Sequence, residues 1–243
     1  MAEDSARRVF LRQLGVVGAG SVAAALPASA GGLEPAQVRP GAPAPPAAPS
    51  PVSHAYVFFT PPEAAFVEAA VDRFIPADDL TPSGTDIGLA QFIDRQMGGA
   101  WGSGDRLYMQ GPWRTGTPTQ GYQLPMTPAE FFRASVGAAN AYCRQTYQKE
   151  FDRLSPAQQV QVLEGLDQGK ITFDHVPAKE FFDLLLNAAM EGFFADPIYG
   201  GNRDKVSWKM IGFPGAVAIY AEHIKTYRNR RYDGIPTSIA DLT

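Results

Sequence analysis

Three segments of this chain share one helix-start signal, and that signal constrains the fold more than any other feature. Each places a hydroxyl residue, then proline, then Glu or Gln three residues after the hydroxyl; they are Thr60-Pro61-Pro62-Glu63, Thr127-Pro128-Ala129-Glu130 and Ser155-Pro156-Ala157-Gln158. Such a capping box satisfies free N–H groups of the first helical turn, and proline is favoured at the first helical position. The pattern predicts three helices that begin near residues 61, 128 and 156.

Apolar residues at helical spacing predict three further helices. The first helix should end at Pro76, and the second should run from about Asp86 to Met97, before Gly98-Gly99. A fifth should begin at Pro177, and a shorter sixth should run from Ala216 to Tyr227. No stretch alternates with the period of a strand. The predicted class is all-α, a single irregular domain of about six helices with long aromatic and Gly-rich loops.

The first thirty residues are predicted to be an export signal. Arg7-Arg8 is followed by the bulky pair Phe10 and Leu11 within one short motif, and a Gly- and Ala-rich apolar run comes next. Ala28 and Ala30 then give the small-x-small pattern of a signal peptidase site. The arginine pair indicates the twin-arginine route, with Arg7, Arg8, Phe10 and Leu11 read by the translocase. The apolar run is shorter than the roughly 20 residues that span a bilayer, so we expect the mature protein in the periplasm.

Residues 31–56 are predicted to be a tether between the signal, residues 1–30, and a helical domain, residues 57–243. Seven of the 21 prolines lie in residues 31–53, and alanine fills most of the gaps. This composition buries little surface and favours an extended polyproline conformation.

Composition argues against several classes of function. Lys and Arg total 21 and Asp and Glu total 25, a net charge of -4; removing residues 1–30, with three arginines and two acids, leaves -5. This mild acidic excess argues against nucleic acid as a partner. One cysteine and three histidines are too few for an iron–sulfur cluster or a Cys-rich zinc site, so no cofactor or metal site is expected in this chain.

Catalytic candidates are few. Asp174 could orient His175 as a carboxylate–imidazole pair, although a surface histidine in the turn before Pro177 explains the same residues. Cys143 lies on the inner face of the long helix and is expected to be a small buried hydrophobe. One alternative function is therefore a stand-alone periplasmic enzyme using Asp174 and His175. Another is a ligand-binding helical module with the Tyr199–Asn202 turn as its pocket.

Two irregular stretches stand out from the helices. Residues 98–125 are Gly- and Pro-rich and carry Trp101, Tyr108, Trp113 and Tyr122. Such aromatics are favoured anchors of protein interfaces, but they can equally cover the domain's own core. The second stretch, Glu191–Ala216, contains strong turn signals. Its spacing allows a partner-binding turn, a ligand loop or a plain helix connection, and spacing alone favours the connection.

Taken together, the export signal and the missing cofactor motif suggest a function. The twin-arginine route carries proteins that have folded in the cytoplasm, typically around a cofactor. The chain has that signal without a cofactor motif. We therefore hypothesise that it folds around a cofactor-bearing partner and supplies the signal for both.

The segment EGFFADPIYGGN (191–202), followed by WKMIGFPG (208–215), resembles the gluconate 2-dehydrogenase subunit 3 family. The segment DRFIP (72–76) and the export signal support the resemblance, which covers roughly residues 57–220. It implies a complex in which a large subunit carries FAD and the active site, often with an iron–sulfur cluster. A multi-haem cytochrome c subunit passes electrons to membrane quinone, so that membrane contact comes only through the complex.

In that family the small subunit is not known to carry chemistry and serves folding, stability and export of the large one. The resemblance therefore implies no catalytic residues here. The motif residues and loop aromatics are instead candidates for the partner interface; they are Trp101, Trp113, Asp196, Tyr199, Gly200, Gly201, Asn202, Trp208, Phe213, Pro214 and Gly215.

Overall fold

The computed structural model describes residues 55–242 except 115, 118 and 119, so the predicted signal and nearly all of the predicted tether lie outside the described residues. The described part contains α1 (Pro61–Phe74), α2 (Leu89–Met97), α3 (Pro128–Tyr147), α4 (Pro156–Asp167), α5 (Ala178–Phe194), α6 (Val206–Ile211) and α7 (Ala221–Thr226). Short 3-10 turns occur at Phe151–Arg153, Pro197–Tyr199, Arg203–Lys205 and Ile239–Leu242. No strand occurs among these residues, which confirms the all-α class.

The three capping boxes are all formed. The backbone N–H of Thr60 donates to Glu63 Oε2 at 2.8 Å, and that of Thr127 donates to Glu130 Oε2 at 2.8 Å. Ser155 repeats the pattern with Gln158 Oε1 at 3.0 Å. The starts of α1, α3 and α4 therefore follow from local sequence.

Other boundaries differ from the sequence expectation. α2 begins at Leu89, three residues later than predicted, because Gly88 is left-handed with φ of 87° and ends the preceding turn. The predicted helix Ala216–Tyr227 is wrong over its first five residues, since only Ala221–Thr226 is helical. Ala216 instead donates its N–H to Thr237 O at 2.6 Å. The extra helix α6 lies within the stretch whose spacing favoured a plain connection.

The core lies around α1, which contacts each of α2 to α5. Phe66 of α1 is fully buried, with its ring centroid 4.5 Å from that of Phe151 and 6.0 Å from that of Phe181. Phe132 of α3 packs edge-on against the same Phe181 ring at 5.7 Å. Burying each such ring stabilises the fold by about 1.5–3 kcal/mol.

The Asp94 carboxylate fixes the start of the folded body. It is 2% exposed and accepts the backbone N–H groups of Val57, Phe58 and Phe59 at 2.8–2.9 Å. Arg133 of α3 stacks over the Phe58 ring at 4.2 Å and donates to Phe58 O. Three N–H donors compensate the burial of this charge, which would otherwise be costly.

The C-terminal residues 216–242, which we name the hook, fold back over α6. Thr237 N donates to Pro214 O at 3.0 Å, and Lys205 Nζ donates to Pro236 O at 2.9 Å. Arg231 Nη2 donates to Met210 O at 2.8 Å. Within the described residues, none of the helices combines the length and the apolar character that crossing a membrane requires.

Candidate functional site

We name residues 191–215 the motif segment; it comprises the last turn of α5 and the residues that follow it. The part after α5 caps the end of that helix. Trp208 Nε1 donates to Phe194 O at 2.9 Å, and Asn202 Nδ2 donates to Ala195 O at 2.9 Å. The last carbonyls of a helix lack partners inside it, and the last turn of α5 has no basic side chain to supply one. Trp208 and Asn202 supply the missing donors, at 4% and 0% exposure.

Asn202 also starts the next helix. Its Oδ1 accepts the backbone N–H of Ser207 at 3.0 Å, so one buried amide joins the end of α5 to the beginning of α6. The turn between them contains three non-glycine residues in the left-handed region, with φ of 47° at Asn202, 58° at Asp204 and 57° at Lys205. Each costs about 1–2 kcal/mol, so the surrounding contacts must hold this turn in place.

Gly201 and Gly88 let the turn lie directly against the end of α5 and the start of α2. A Cβ at Gly201 would be 2.1 Å from Gly192 O on α5. The carbonyl oxygen of Gly200 would be 2.3 Å from a Cβ placed on Gly88, just before α2. Backbone therefore packs on backbone at both contacts, which only glycine permits.

Asp196 joins the motif segment to the hook. Its Oδ1 accepts Ile198 N at 3.0 Å, and its Oδ2 accepts Ile239 N at 2.8 Å. The residue is 9% exposed. Gly215 makes a second junction, because a Cβ there would be 2.0 Å from Thr237 O.

The predicted interface residues of the motif segment thus divide into two groups. Those that face inward support the turn; they are Asp196, Gly201, Asn202, Trp208 and Gly215. Tyr199 is 52% exposed and Ile198 beside it is also exposed, while Phe213, Pro214 and Gly200 are half-buried. Phe213 packs edge-on against Trp208, with centroids 5.2 Å apart. The inward group can shape a partner surface only from below, and a role in partner binding stays a prediction.

The aromatic side chains of residues 98–125 differ in their exposure. Tyr122 packs on Phe131 of α3 with centroids 6.2 Å apart and donates its hydroxyl to Met126 O at 2.8 Å. Tyr108 and Trp101 are exposed, and Trp113 is half-buried. Tyr122 therefore fits the interpretation that these aromatics cover the core, and Trp101 and Tyr108 fit the interpretation that they contact a partner.

A cleft of about 380 Å³ lies between α6 and the hook, lined by Trp208, Lys209, Gly212, Arg231, Tyr232 and Asp233 among others. The Tyr232 ring packs against the rings of Tyr227 and His223, at centroid distances of 4.9 and 5.6 Å. The ligand-binding alternative expected a pocket at the Tyr199–Asn202 turn, but none of the residues that line this cleft belongs to that turn.

The remaining chemical candidates lie apart from the cleft and the motif segment. Asp174 and His175 are both exposed in the turn before α5. Cys143 is fully buried on α3, and burial raises the pKa of its thiol to about 11. Among the described residues, no three side chains of the metal-ligating types come together.

Comparison with known proteins gives one match. The family model described as gluconate 2-dehydrogenase subunit 3 matches residues 61–215, from the first residue of α1 to the last residue of the motif segment. The hook lies beyond the match. No curated protein and no solved structure matches the chain.

Proposed function

This chain belongs to the gluconate 2-dehydrogenase subunit 3 family, and from that premise we propose that it is the non-catalytic small subunit of a periplasmic FAD-dependent sugar, polyol or sugar-acid dehydrogenase. The observation that carries the proposal is the match over α1 to α6 and the whole motif segment. The inward-facing motif residues support it, because they build a rigid turn and leave Ile198 and Tyr199 at the surface.

In this proposal the chain binds a flavin-bearing large subunit and supports its folding, stability and export. FAD, with or without an iron–sulfur cluster, belongs to that large subunit, and haem c belongs to a cytochrome subunit that passes electrons to quinone. Export of the pair depends on the arginine pair Arg7-Arg8 of this chain.

Purification from the native host through an affinity tag on this chain tests the assembly. We expect the large subunit to co-purify, with an optical spectrum of flavin and haem and dye-linked oxidation of at least one of gluconate, glucose, fructose or sorbitol. The chain alone should oxidise none of them. Recovery of the chain without a flavoprotein would contradict the proposal.

Export is tested with Arg7→Lys combined with Arg8→Lys. We expect dehydrogenase activity to be lost from the periplasm while an intact flavin complex accumulates in the cytoplasm. Arg12→Lys lies outside the pair and is the matched control, with normal periplasmic activity. Normal periplasmic activity in the double variant would refute the twin-arginine assignment.

A further inference from the structure

We propose that the hook and the exposed part of the motif segment form one docking surface whose occupant is an acidic face of the flavin-bearing large subunit. The inference rests on the proposed function for the identity of the partner. It goes further in assigning the contact to a segment outside the family match and in specifying the charge of the partner's surface.

Exposed apolar side chains concentrate on this part of the molecule. Of thirteen large apolar side chains exposed among the described residues, nine lie between residues 198 and 242; they are Ile198, Tyr199, Ile211, Ile219, Tyr220, Ile224, Ile235, Ile239 and Leu242. Single exposed apolar residues are normal on any protein, but nine within one stretch of the chain favour an interaction site there.

The same part of the chain is basic, whereas the rest of the mature chain is acidic. Residues 203–243 contain seven Lys and Arg against four Asp and Glu, a net charge of +3. Residues 31–202 contain eleven against nineteen, a net charge of -8. Four of the cations fall within residues 225–231, and three of those are arginines, which bind carboxylates in a bidentate manner. The surface therefore selects a partner face that presents carboxylates.

The docking surface is held in shape before any partner arrives. Asp196 fixes the backbone of Ile239, and Lys205 fixes Pro236 O. Ring contacts also hold α7, since Tyr220, just before the helix, stacks on Phe213 at 6.4 Å and His223 packs against Tyr232 at 5.6 Å. A surface ordered in advance loses less conformational entropy on binding, which favours affinity.

The cleft between α6 and the hook gives this surface a pocket. Trp208 and Tyr232 provide aromatic walls, and Lys209 and Arg231 provide cations. Asp233 provides the one carboxylate among these lining residues. Binding energy at protein interfaces concentrates where an anchor side chain fills such a pocket.

An anionic membrane would also attract cations interleaved with Ile and Tyr, but two observations favour a protein. The cleft is concave, which suits an inserted side chain better than a lipid surface. Glu222, Asp233 and Asp241 are distributed along the hook and would be repelled by anionic headgroups, whereas a protein surface can match each of them individually.

The test compares two charge-reversal variants of the full mature chain with the purified large subunit. The hook variant is Lys225→Glu with Arg228→Glu, and the matched control is Lys149→Glu with Lys170→Glu, four exposed residues and the same change in charge. Titration calorimetry at low and at physiological salt measures the dissociation constant. We expect the hook variant to bind at least tenfold more weakly with a reduced salt dependence, and the control to bind within about twofold of the natural chain.

Ile224→Ser tests the apolar part without changing charge, and it should also weaken binding several-fold. Thermal melting of each variant checks that it is folded. Natural affinity in the hook variants, while the natural chain binds the large subunit, would overturn this inference and leave the proposed function standing. Failure of the natural chain to bind the large subunit would overturn both. Hook-dependent binding to phosphatidylglycerol vesicles, with the protein complex unaffected, would overturn the inference in favour of a lipid surface.

Discussion

Ile239 donates its backbone N–H to Oδ2 of Asp196 at 2.8 Å, and this hydrogen bond joins the segment shared with the family to the turn Ile239–Leu242. The other oxygen of the same carboxylate holds Ile198 N, beside the exposed Tyr199. One nearly buried carboxylate therefore contacts both the exposed turn of the motif segment and the end of the hook, the two parts of the proposed docking surface.

Asp196→Ala should leave both backbone N–H groups without their acceptor. We expect about 2 kcal/mol lower stability and a melting temperature lower by about 4–8 °C, with earlier proteolysis of the hook. Asp174→Ala, at an exposed carboxylate, is the control and should melt like the natural chain. An unchanged melting temperature in Asp196→Ala would show that the hook is held by its other contacts.

Asp94→Asn should destabilise the start of the folded body. An amide oxygen cannot replace both carboxylate oxygens, so at least one of the three N–H donors of residues 57–59 loses its acceptor. We expect about 2 kcal/mol lower free energy of unfolding in urea. The exposed Asp79→Asn should change it by less than about 0.5 kcal/mol. Equal stability of the two variants would contradict the role given to Asp94.

Gly201→Ala should be destabilising because the new Cβ would lie 2.1 Å from Gly192 O. Overpacking of this kind costs roughly 1–3 kcal/mol or more. Gly137→Ala makes the same chemical change on the exposed side of α3, where a Cβ meets nothing within 4 Å. That control should be stabilised by about 0.5–1 kcal/mol. Calorimetric melting of the two variants measures the expected loss and the expected gain of stability. A Gly201→Ala variant as stable as the natural chain would contradict the close packing of the turn.

The Cys143 thiol should be inert in the folded chain. With a pKa of about 11, roughly one thiol in a thousand is ionised at pH 8, and the group is also inaccessible to reagent. We expect a chromogenic disulfide reagent to react within seconds in guanidinium chloride and only over hours in native buffer. Rapid native reaction would show that the α3 face opens.

Acidification should loosen the end of the hook. The Lys205 ammonium forms an ion pair with the Asp241 carboxylate, which also accepts the Ser238 N–H, and both contacts lower the pKa of Asp241 below its usual value. A lowered pKa in the folded state contributes stability above the unfolded value of about 4, and that stability is lost as the pH falls through the lowered pKa. Amide exchange of residues 237–242, corrected for its intrinsic pH dependence, should therefore accelerate in acid. Asp241→Asn should exchange quickly at neutral pH as well, and slow exchange in that variant would argue against the ion pair.

Local signals and non-local contacts explain what could be predicted from the sequence. A capping box lies within four residues, so the starts of α1, α3 and α4 were predictable. The contact of Gly200 with Gly88 joins residues far apart in the chain, and no local pattern indicates it. The left-handed Gly88, after which α2 begins, lies at that distant contact.

The motif segment shows the same limit for the candidate site. Turn signals identified it as irregular, and its aromatic and polar residues suggested a surface. Asn202 and Trp208 instead hydrogen-bond carbonyls at the end of α5, seven and fourteen residues earlier. The missing basic residue in the last turn of α5 is a readable sign that its carbonyls need other donors. The sequence also gives an indication for Asp94, which is an acidic residue between the apolar residues Ile93 and Met97 of a predicted helix.

The anchoring of residues 57–59 on Asp94 also has a mechanical consequence. A pull on the chain at Ala55 loads the hydrogen bond from the Tyr56 hydroxyl to Glu68 of α1 and the three hydrogen bonds to the Asp94 carboxylate. That carboxylate belongs to α2, and the force passes from there to the glycine that supports the Gly200 turn. A pulling force at residues 57–59 therefore reaches the segment that carries the exposed Tyr199 through two contacts, the hydrogen bonds to Asp94 and the packing of Gly88 on Gly200.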